Sequence, residues 1–365
     1  MSEKPRAYLF VGGGTGGHLY PALAIRQRIL EIDPEASTHF VCSDRAIDAE
    51  ILDQAGVQYT PVAARPLARS RSGLGAFYRG WRSSAADMKS LMVGLLPKRD
   101  VVVVAMGGFV APPCAWAARR LRIPIVLVNL DAVPGKANLL VARFADRVCT
   151  ALPVRGKQWV TLGPIVRSSA HRGEEPETFG LDPQQPTLLI TGGSQGADSI
   201  NGFVRAMVGH HADSFAGWQI IHQTGKGGIG DLPSVYERAG IPCWVGEYIS
   251  DMQSAWVMAG LTIGRCGAGT VAEAWAAGVP AVLLPYPHHK DQHQKHNAMV
   301  LVDAGAAIVL EDRIDPAGNI AENGHRLAEL IADPQRLGSM RARYSTLGKA
   351  DGARSAAQLL HGFRG

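Results

Sequence analysis

One unit recurs along this chain and limits what it can fold into: a short apolar run, a glycine-rich turn, then a helix-forming stretch. Its fullest form is Ile263-Gly-Arg-Cys-Gly-Ala-Gly-Thr-Val-Ala-Glu273, continuing to Gly278-Val-Pro-Ala-Val-Leu-Leu-Pro285 and the polar run 288–297. It reads as strand, turn, helix, short strand, then a loop entering another helix. Such alternation builds parallel sheets flanked by helices. The small residues from Gly267 to Thr270 let a ligand approach the backbone where a helix begins. There the unpaired amides and the dipole favour an anion such as a diphosphate. Glu273 falls in the first turns of that helix, within reach of a hydroxyl-bearing group such as a ribose. His288, Asp291, His293, Gln294 and Asn297 follow the next strand, and open α/β sheets bind ligands outside such strand ends. Two adjacent ends so furnished predict one nucleotide pocket. The plainer alternative is a tight strand-to-helix turn with a solvated loop behind it, because glycines are common there.

The unit appears again at the start. Tyr8-Leu-Phe-Val11 reads as a buried strand, Gly12-Gly-Gly-Thr-Gly-Gly-His18 as the turn, and Tyr20 to Leu30 as a helix with Pro21 in its first turn. Gly12, Gly14 and Gly17 fit G-x-G-x-x-G, but the acidic partner of a dinucleotide site is ambiguous among Glu31, Asp33 and Glu35. His18 stands at the mouth of this loop. It is either a general base, for which an ordinary pKa near 6.5 is suited, or a helix-start residue facing water. Further strands are expected at Ser37 to Cys42, Val57 to Val62, Val101 to Ala105, Ile125 to Val128 and Arg147 to Ala151. Met106-Gly-Gly-Phe109 and the loop from Asn129 through Asp131 to Asn138 follow two of them, on the same strand-end face.

The second half repeats the first. Strand Thr187 to Ile190 leads into Thr191-Gly-Gly-Ser-Gln-Gly196 and a helix over Asp198 to Val208. Ser194 and Gln195 there are able to bind a phosphate or a sugar hydroxyl. Strand Gln219 to His222 precedes Gln223-Thr-Gly-Lys-Gly-Gly228, which lacks the Ser or Thr of a P-loop. Trp244 to Tyr248 leads to Ile249-Ser-Asp-Met252. A chain of 365 residues suits two domains. The expected boundaries are 1–165, 166–335 with a linker at 171–185, and a helical tail at 336–365 packing back on the first domain.

Five cysteines without C-x-x-C spacing read as buried thiols in a reducing compartment. Residues 1–6 lead straight into a strand, so no signal peptide is expected, and no apolar run approaches the roughly 20 residues of a membrane span. A net charge of +5 permits an anionic partner without specifying one. One stretch is distinct: between Arg65 and Arg99, eight Lys and Arg face a single acid, Asp87, with Phe77, Tyr78, Trp81 and several Leu and Met between them. That texture suits a helix on an anionic bilayer and equally an amphipathic helix whose apolar face is core. No recognition motif supports nucleic acid.

Taken in order, Gly13-Gly-Thr-Gly-Gly-His18 with Pro21, Met106-Gly-Gly-Phe109, Gly192-Gly-Ser-Gln-Gly196, His222-Gln-Thr-Gly-Lys226, Arg265-Cys-Gly-Ala-Gly-Thr270 with Glu273, and Asp291-Gln-His-Gln294 with Asn297-Ala298 resemble the MurG family. These are peripheral glycosyltransferases that make lipid II in peptidoglycan synthesis. The resemblance implies the GT-B fold, two doubly wound Rossmann-like α/β domains facing a cleft. It implies transfer of N-acetylglucosamine from UDP-N-acetylglucosamine to the C4 hydroxyl of an undecaprenyl-diphosphate-linked N-acetylmuramoyl-pentapeptide, with inversion, with no cofactor and no essential metal. It also implies residence on the cytoplasmic face of the inner membrane. Carried over by motif, Arg167, Ser194, Gln195, Gly196, Ile249, Ala268, Gly269, Thr270, Val271, Ala272, Glu273 and Gln294 form the donor pocket. Ile249 meets the uracil through its backbone and Glu273 meets the ribose. Thr15, Gly16 and Gly17 meet the donor sugar or the acceptor diphosphate, and His18 is the base. Phe109, Asp131 and Asn138 stand on the acceptor or donor-sugar side.

The departures cluster. The family's Glu-x-Asn is Asn129-Leu130-Asp131 here, its Asn-Pro is Pro164-Ile165, and its Gly-Gly-Tyr-Val-Ser is Gly107-Gly-Phe-Val-Ala111. An amide that donates has become a carboxylate that, when ionised, only accepts. A different acceptor is therefore the first alternative, and a sugar-nucleotide-binding homologue without turnover the second. A dinucleotide oxidoreductase leaves the second glycine loop unexplained. A zinc hydrolase on His288, His289, His293 and His296 lacks an H-E-x-x-H pattern.

Overall fold

The computed structural model describes residues 4–14, 16–68, 70–166, 178–193, 196–287, 293–348 and 350–363. Two compact units divide the chain, Met1–Ser168 with Asp351–Gly365, and Ser169–Ala350.

In the first unit, strands β1 (Arg6–Val11), β2 (Ser37–Ser43), β3 (Tyr59–Val62), β4 (Asp100–Ala105), β5 (Ile125–Asn129), β6 (Arg147–Thr150) and β7 (Val160–Thr161) form one parallel sheet in the order β3-β2-β1-β4-β5-β6-β7. Its flanking helices include α1 (Gly16–Ile32), α2 (Ala46–Gln54), α3 (Arg71–Leu95), α4 (Ala111–Arg120) and α5 (Lys136–Val141). The run Val101 to Val104 is buried throughout, as central parallel strands covered on both faces must be. The order reverses between β1 and β4, so the loops that follow these strands part from one another and leave a crevice. Helix Gly352–Gly362 at the chain's end belongs here. Arg6 Nη1 donates to Leu360 O at 2.8 Å, Gly352 N to Pro164 O at 2.8 Å, and Arg28 pairs with Asp351 at 3.1 Å.

In the second unit, β8 (Thr187–Thr191), β9 (Gln219–Gln223), β10 (Cys243–Gly246), β11 (Ala259–Gly264), β12 (Ala281–Leu283) and β13 (Ala307–Val309) pair in the order β10-β9-β8-β11-β12-β13. Helices α6 (Asp198–His210), α7 (Leu232–Arg238), α8 (Met252–Met258), α9 (Ala268–Ala277) and α10 (His293–Asp303) accompany them. The switch point here lies between β8 and β11. Helix Pro334–Arg343 and the turn after it also pack in this unit, with Arg341 Nη2 on Ala259 O at 3.2 Å and Tyr344 Oη on Val279 O at 2.6 Å.

Both units are thus doubly wound, as expected. One local expectation needs correction. Helix α1 begins at Gly16, not Tyr20, so Pro21 lies in its second turn and stays buried; glycines read as loop are absorbed into the first turn. Strands β7 and β13 are only two and three residues long, too short to carry a period-2 signal.

Candidate active site

The first unit brings three loops to the β1/β4 crevice. Gly14 is gripped from below: its N–H donates to Asp48 Oδ2 at 2.7 Å and its carbonyl accepts from Arg45 Nη1 at 2.9 Å. The same Asp48 oxygen accepts from Ser43 N and Oγ, at 3.0 and 2.6 Å. Phe109 packs against Gly14, and Arg45 lies over its ring at 5.2 Å. His18, in the first turn of α1, leans over Gly107. A Cβ there would sit 3.2 Å from His18 Cδ2 and 2.7 Å from Asn138 Oδ1, so only glycine lets both side chains converge. Asn138 is aimed by Asn129, which accepts from Asn138 Nδ2 at 2.9 Å and itself donates to Thr150 Oγ1 at 3.0 Å. Asn129 and Asp48 were not singled out as site residues from the sequence; their roles exist only through these bonds.

Three buried atoms around this crevice lack a hydrogen-bond partner among the described residues: His18 Nδ1, Asn138 Oδ1 and Asp48 Oδ1. Buried polar atoms are rarely left so unless a ligand or water completes them. Burial holds the His18 imidazole below the usual histidine range, while Asp131 and Asp48 pull the other way. Desolvation therefore favours the neutral ring, as does the start of helix α1, where an imidazolium is disfavoured. Gly16 and Gly17 lie in the same first turn.

The second unit gathers its loops at the β8/β11 switch. Gly196 has φ +74°, and a Cβ on it would clash with Thr224 O, so its backbone lies directly against the residue that follows β9. Beneath it His222, read as part of a motif, is structural. Its Nδ1 is 2.7 Å from Tyr236 Oη and its Nε2 is 3.0 Å from Asn201 Oδ1. Asn201 Nδ2 donates to Thr224 O at 3.0 Å, so its oxygen faces His222, and Nε2 carries the proton. Burial pushes this imidazole down to about 3. Gln223 bridges the rim, donating to Gly193 O at 2.8 Å and accepting from Ile249 N at 3.0 Å. Ile249 therefore keeps only its carbonyl for a base in this state.

Helix α9 opens from Gly267 with no side-chain cap, so the amides of Ala268, Gly269 and Thr270 head the helix. Glu273, one turn further on, is half-buried and accepts from Trp256 Nε1 at 3.2 Å. Gln294 sits at the start of α10 and accepts from Tyr286 N at 2.9 Å; Asn297 donates to Cys266 O at 3.3 Å. Val271 and Ala272 have core side chains, 0% and 5% exposed, and contribute to the rim only through their backbone. Thr15, Arg167, Ser194, Gln195, His288, His289 and Asp291 lie outside the described residues. Among the described residues no cluster of three or more His, Cys, Asp or Glu is arranged to hold a metal ion.

Helix α3 of the basic-aromatic segment is divided between core and exposed faces. Met88 and Met92 are buried in the core, whereas Leu74 and Tyr78 in its first half, and Leu67 before it, are exposed. Between α3 and α4 runs a groove of about 430 Å³ whose walls include Trp81, Trp116, Arg82, Lys89 and Arg120. Arg120 lies over the Trp116 ring at 4.4 Å. Among the described residues no helix is long and apolar enough to cross a membrane.

Family models for the glycosyltransferase family 28 N-terminal and C-terminal domains match residues 8–150 and 187–358. A Nocardioides protein named UDP-N-acetylglucosamine--N-acetylmuramyl-(pentapeptide) pyrophosphoryl-undecaprenol N-acetylglucosamine transferase is 35% identical over 360 residues, 96% of each chain. A Geobacter metallireducens protein of the same name is 32% identical over 357 residues, 94% of this chain and 95% of that one. The crystal structure of Acinetobacter baumannii MurG superposes with a TM-score of 0.75 at 26% identity, covering 98% of this chain and 100% of that one. A kitacinnamycin glycosyltransferase, 17% identical with a TM-score of 0.64, shares the fold.

Proposed function

This chain belongs to glycosyltransferase family 28, and on that premise we propose that it is a MurG-type enzyme of GT-B architecture. In this reading it moves N-acetylglucosamine from UDP-N-acetylglucosamine to the C4 hydroxyl of a polyprenyl-diphosphate-linked N-acetylmuramoyl-pentapeptide. The observation that carries the donor half is the edge of the second sheet. There the uncapped start of α9, Glu273 held by Trp256, and the Ile249 carbonyl furnish separate groups for diphosphate, ribose and uracil. The relatives' shared name, at over 30% identity along at least 95% of their length, supports the acceptor.

The chemistry follows from those groups. The acceptor oxygen attacks the anomeric carbon, its proton passes to His18, and the bond from that carbon to the diphosphate oxygen breaks, its electron pair leaving with UDP. Inversion is the outcome of one such displacement. His18 Nδ1 is buried without a hydrogen-bond partner, and in this reading the proton is taken by the other ring nitrogen, Nε2. A base held neutral by burial is poised to accept at pH 7, and α9's amides offset charge growing on the departing diphosphate. The clustered departures at 107–111, 129–131 and 164–165 favour a second reading in which the donor is unchanged and the acceptor differs.

Membrane attachment is proposed through α3 and the groove beside it, whose exposed apolar residues and surrounding Arg and Lys suit an anionic bilayer surface. In this reading the enzyme sits peripherally on the cytoplasmic face of the inner membrane, as the family resemblance implies. The deciding experiment is UDP release from UDP-N-acetylglucosamine with and without a lipid I analogue. Release that depends on the analogue supports the first reading. Donor binding without analogue-dependent release rejects it.

A further inference from the structure

Arg265 precedes the glycine turn of α9, and its guanidinium reaches the segments that follow β8, β12 and β13. Nη1 donates to Leu284 O at 3.2 Å, just past β12, and to Asp312 Oδ2 at 2.6 Å, just past β13. Nη2 donates to Ser199 Oγ at 2.7 Å, in the first turn of α6 after the β8 glycine loop. Ser199 in turn donates to Asp312 Oδ2 at 2.6 Å. The guanidinium also lies 5.6 Å from the Tyr286 ring, and Tyr286 N is bonded to Gln294. Arg265 is 9% exposed. It is spent on the protein and is not presented to a diphosphate.

Asp312 is the hub of this arrangement. Its second oxygen accepts from Ile314 N at 2.8 Å and from Asn319 Nδ2 at 3.1 Å. Ile314 has φ +65°, a left-handed conformation that a β-branched residue avoids unless its surroundings impose it. Burial alone would raise the Asp312 carboxyl, but the bonds from Ser199, Asn319 and Arg265 hold it below the usual range. A buried ion pair is a poor source of stability, since apolar residues of similar volume often do as well. What apolar residues cannot do is bond four strand ends in one geometry.

We propose that Asp312 is a positioning residue of the donor site, acting through Arg265 and Ser199 to fix the spacing between the first turn of α6 after β8, the α9 turn, and Leu284 and Tyr286 after β12. The inference rests on the reading of this edge as the donor pocket. Misplacing the loops weakens ground-state and transition-state binding of the donor alike, so the effect falls on KM rather than kcat.

The test uses the full-length chain, with calorimetric UDP binding, steady-state kinetics and thermal melts on Asp312→Ala, Asp312→Asn and Ser199→Ala. Asp312→Ala is expected to weaken UDP binding and raise KM for UDP-N-acetylglucosamine about tenfold or more, with kcat within a few-fold of wild type. Asp312→Asn, which keeps an acceptor for Arg265, recovers most of that loss. Ser199→Ala, which leaves the ion pair whole, gives a smaller rise in KM with an unchanged melting temperature. Should Asp312→Ala not fold, the other two variants decide. UDP affinity equal to wild type in the folded variants overturns the proposal, as does a loss of active fraction with KM unchanged. Failure of the wild-type chain to bind UDP instead refutes the donor reading, and the proposal falls with it.

Discussion

Replacing Glu273 by alanine tests the donor pocket most directly. In the structure Glu273 Oε2 accepts from Trp256 Nε1 at 3.2 Å, which anchors the carboxylate proposed to meet a ribose hydroxyl. A hydrogen bond to a charged group contributes about 1.5–3 kcal/mol, so its loss corresponds to about a 10- to 150-fold rise in the UDP dissociation constant. Glu273→Gln retains an acceptor for Trp256 but no charge, and the difference between charged and neutral bonds predicts a loss of about 1 kcal/mol, several-fold in affinity. Trp256→Phe leaves the carboxylate but removes its anchor, and is expected to fall between wild type and Glu273→Ala. The assay is isothermal titration with UDP and with 2′,3′-dideoxy-UDP. If Glu273 meets the ribose, the dideoxy ligand binds wild type weakly and loses nothing more in Glu273→Ala. Equal penalties in both proteins, or UDP affinity unchanged by the substitution, would refute the assignment.

Other consequences are as direct. His18→Ala should lower kcat at least about a hundredfold with UDP affinity nearly unchanged, whereas Asp131→Asn should do much less; abolished turnover in Asp131→Asn with His18→Ala tolerated would move the base to the carboxylate. Because burial lowers the His18 pKa and Asp131 raises it, the acid limb of kcat/KM should lie below pH 6.5 and move lower still in Asp131→Asn; a limb that moves upward contradicts this. Replacing Phe77, Trp81 and Arg82 together should release the protein from anionic vesicles while UDP binding persists, and unfolding of that variant would mean this face of α3 is core. His222 titrates near 3 when folded and near 6.5 when unfolded. Between those values the unfolded chain binds the extra proton, so stability should fall by up to about 1.4 kcal/mol per pH unit as the medium is acidified. His222→Gln should show a shallower slope in urea melts, and an unchanged slope would show that His222 is not the group responsible.

Much was legible in the residues themselves. The strand–glycine turn–helix unit repeats because a chain reversing at the end of a buried parallel strand needs residues tolerating positive φ and close approach, and that need leaves glycines at spacings anyone can read. Apolar runs such as Val101 to Val104 announce central strands in the same way. From these the two doubly wound units and the sites on their strand ends followed. Periodicity could not reveal which side chains each loop would meet, since that depends on strand order, which joins residues far apart in sequence. Arg265 and Asp312 are separated by 47 positions and meet only because β11, β12 and β13 lie side by side. Asp48 reaches Gly14, and Asn129 aims Asn138, for the same reason. The tertiary structure also made the motif residue His222 a buried structural group and divided α3 between core and surface. Burial decides both, and burial is a property of the packed sheet and helices rather than of any one segment.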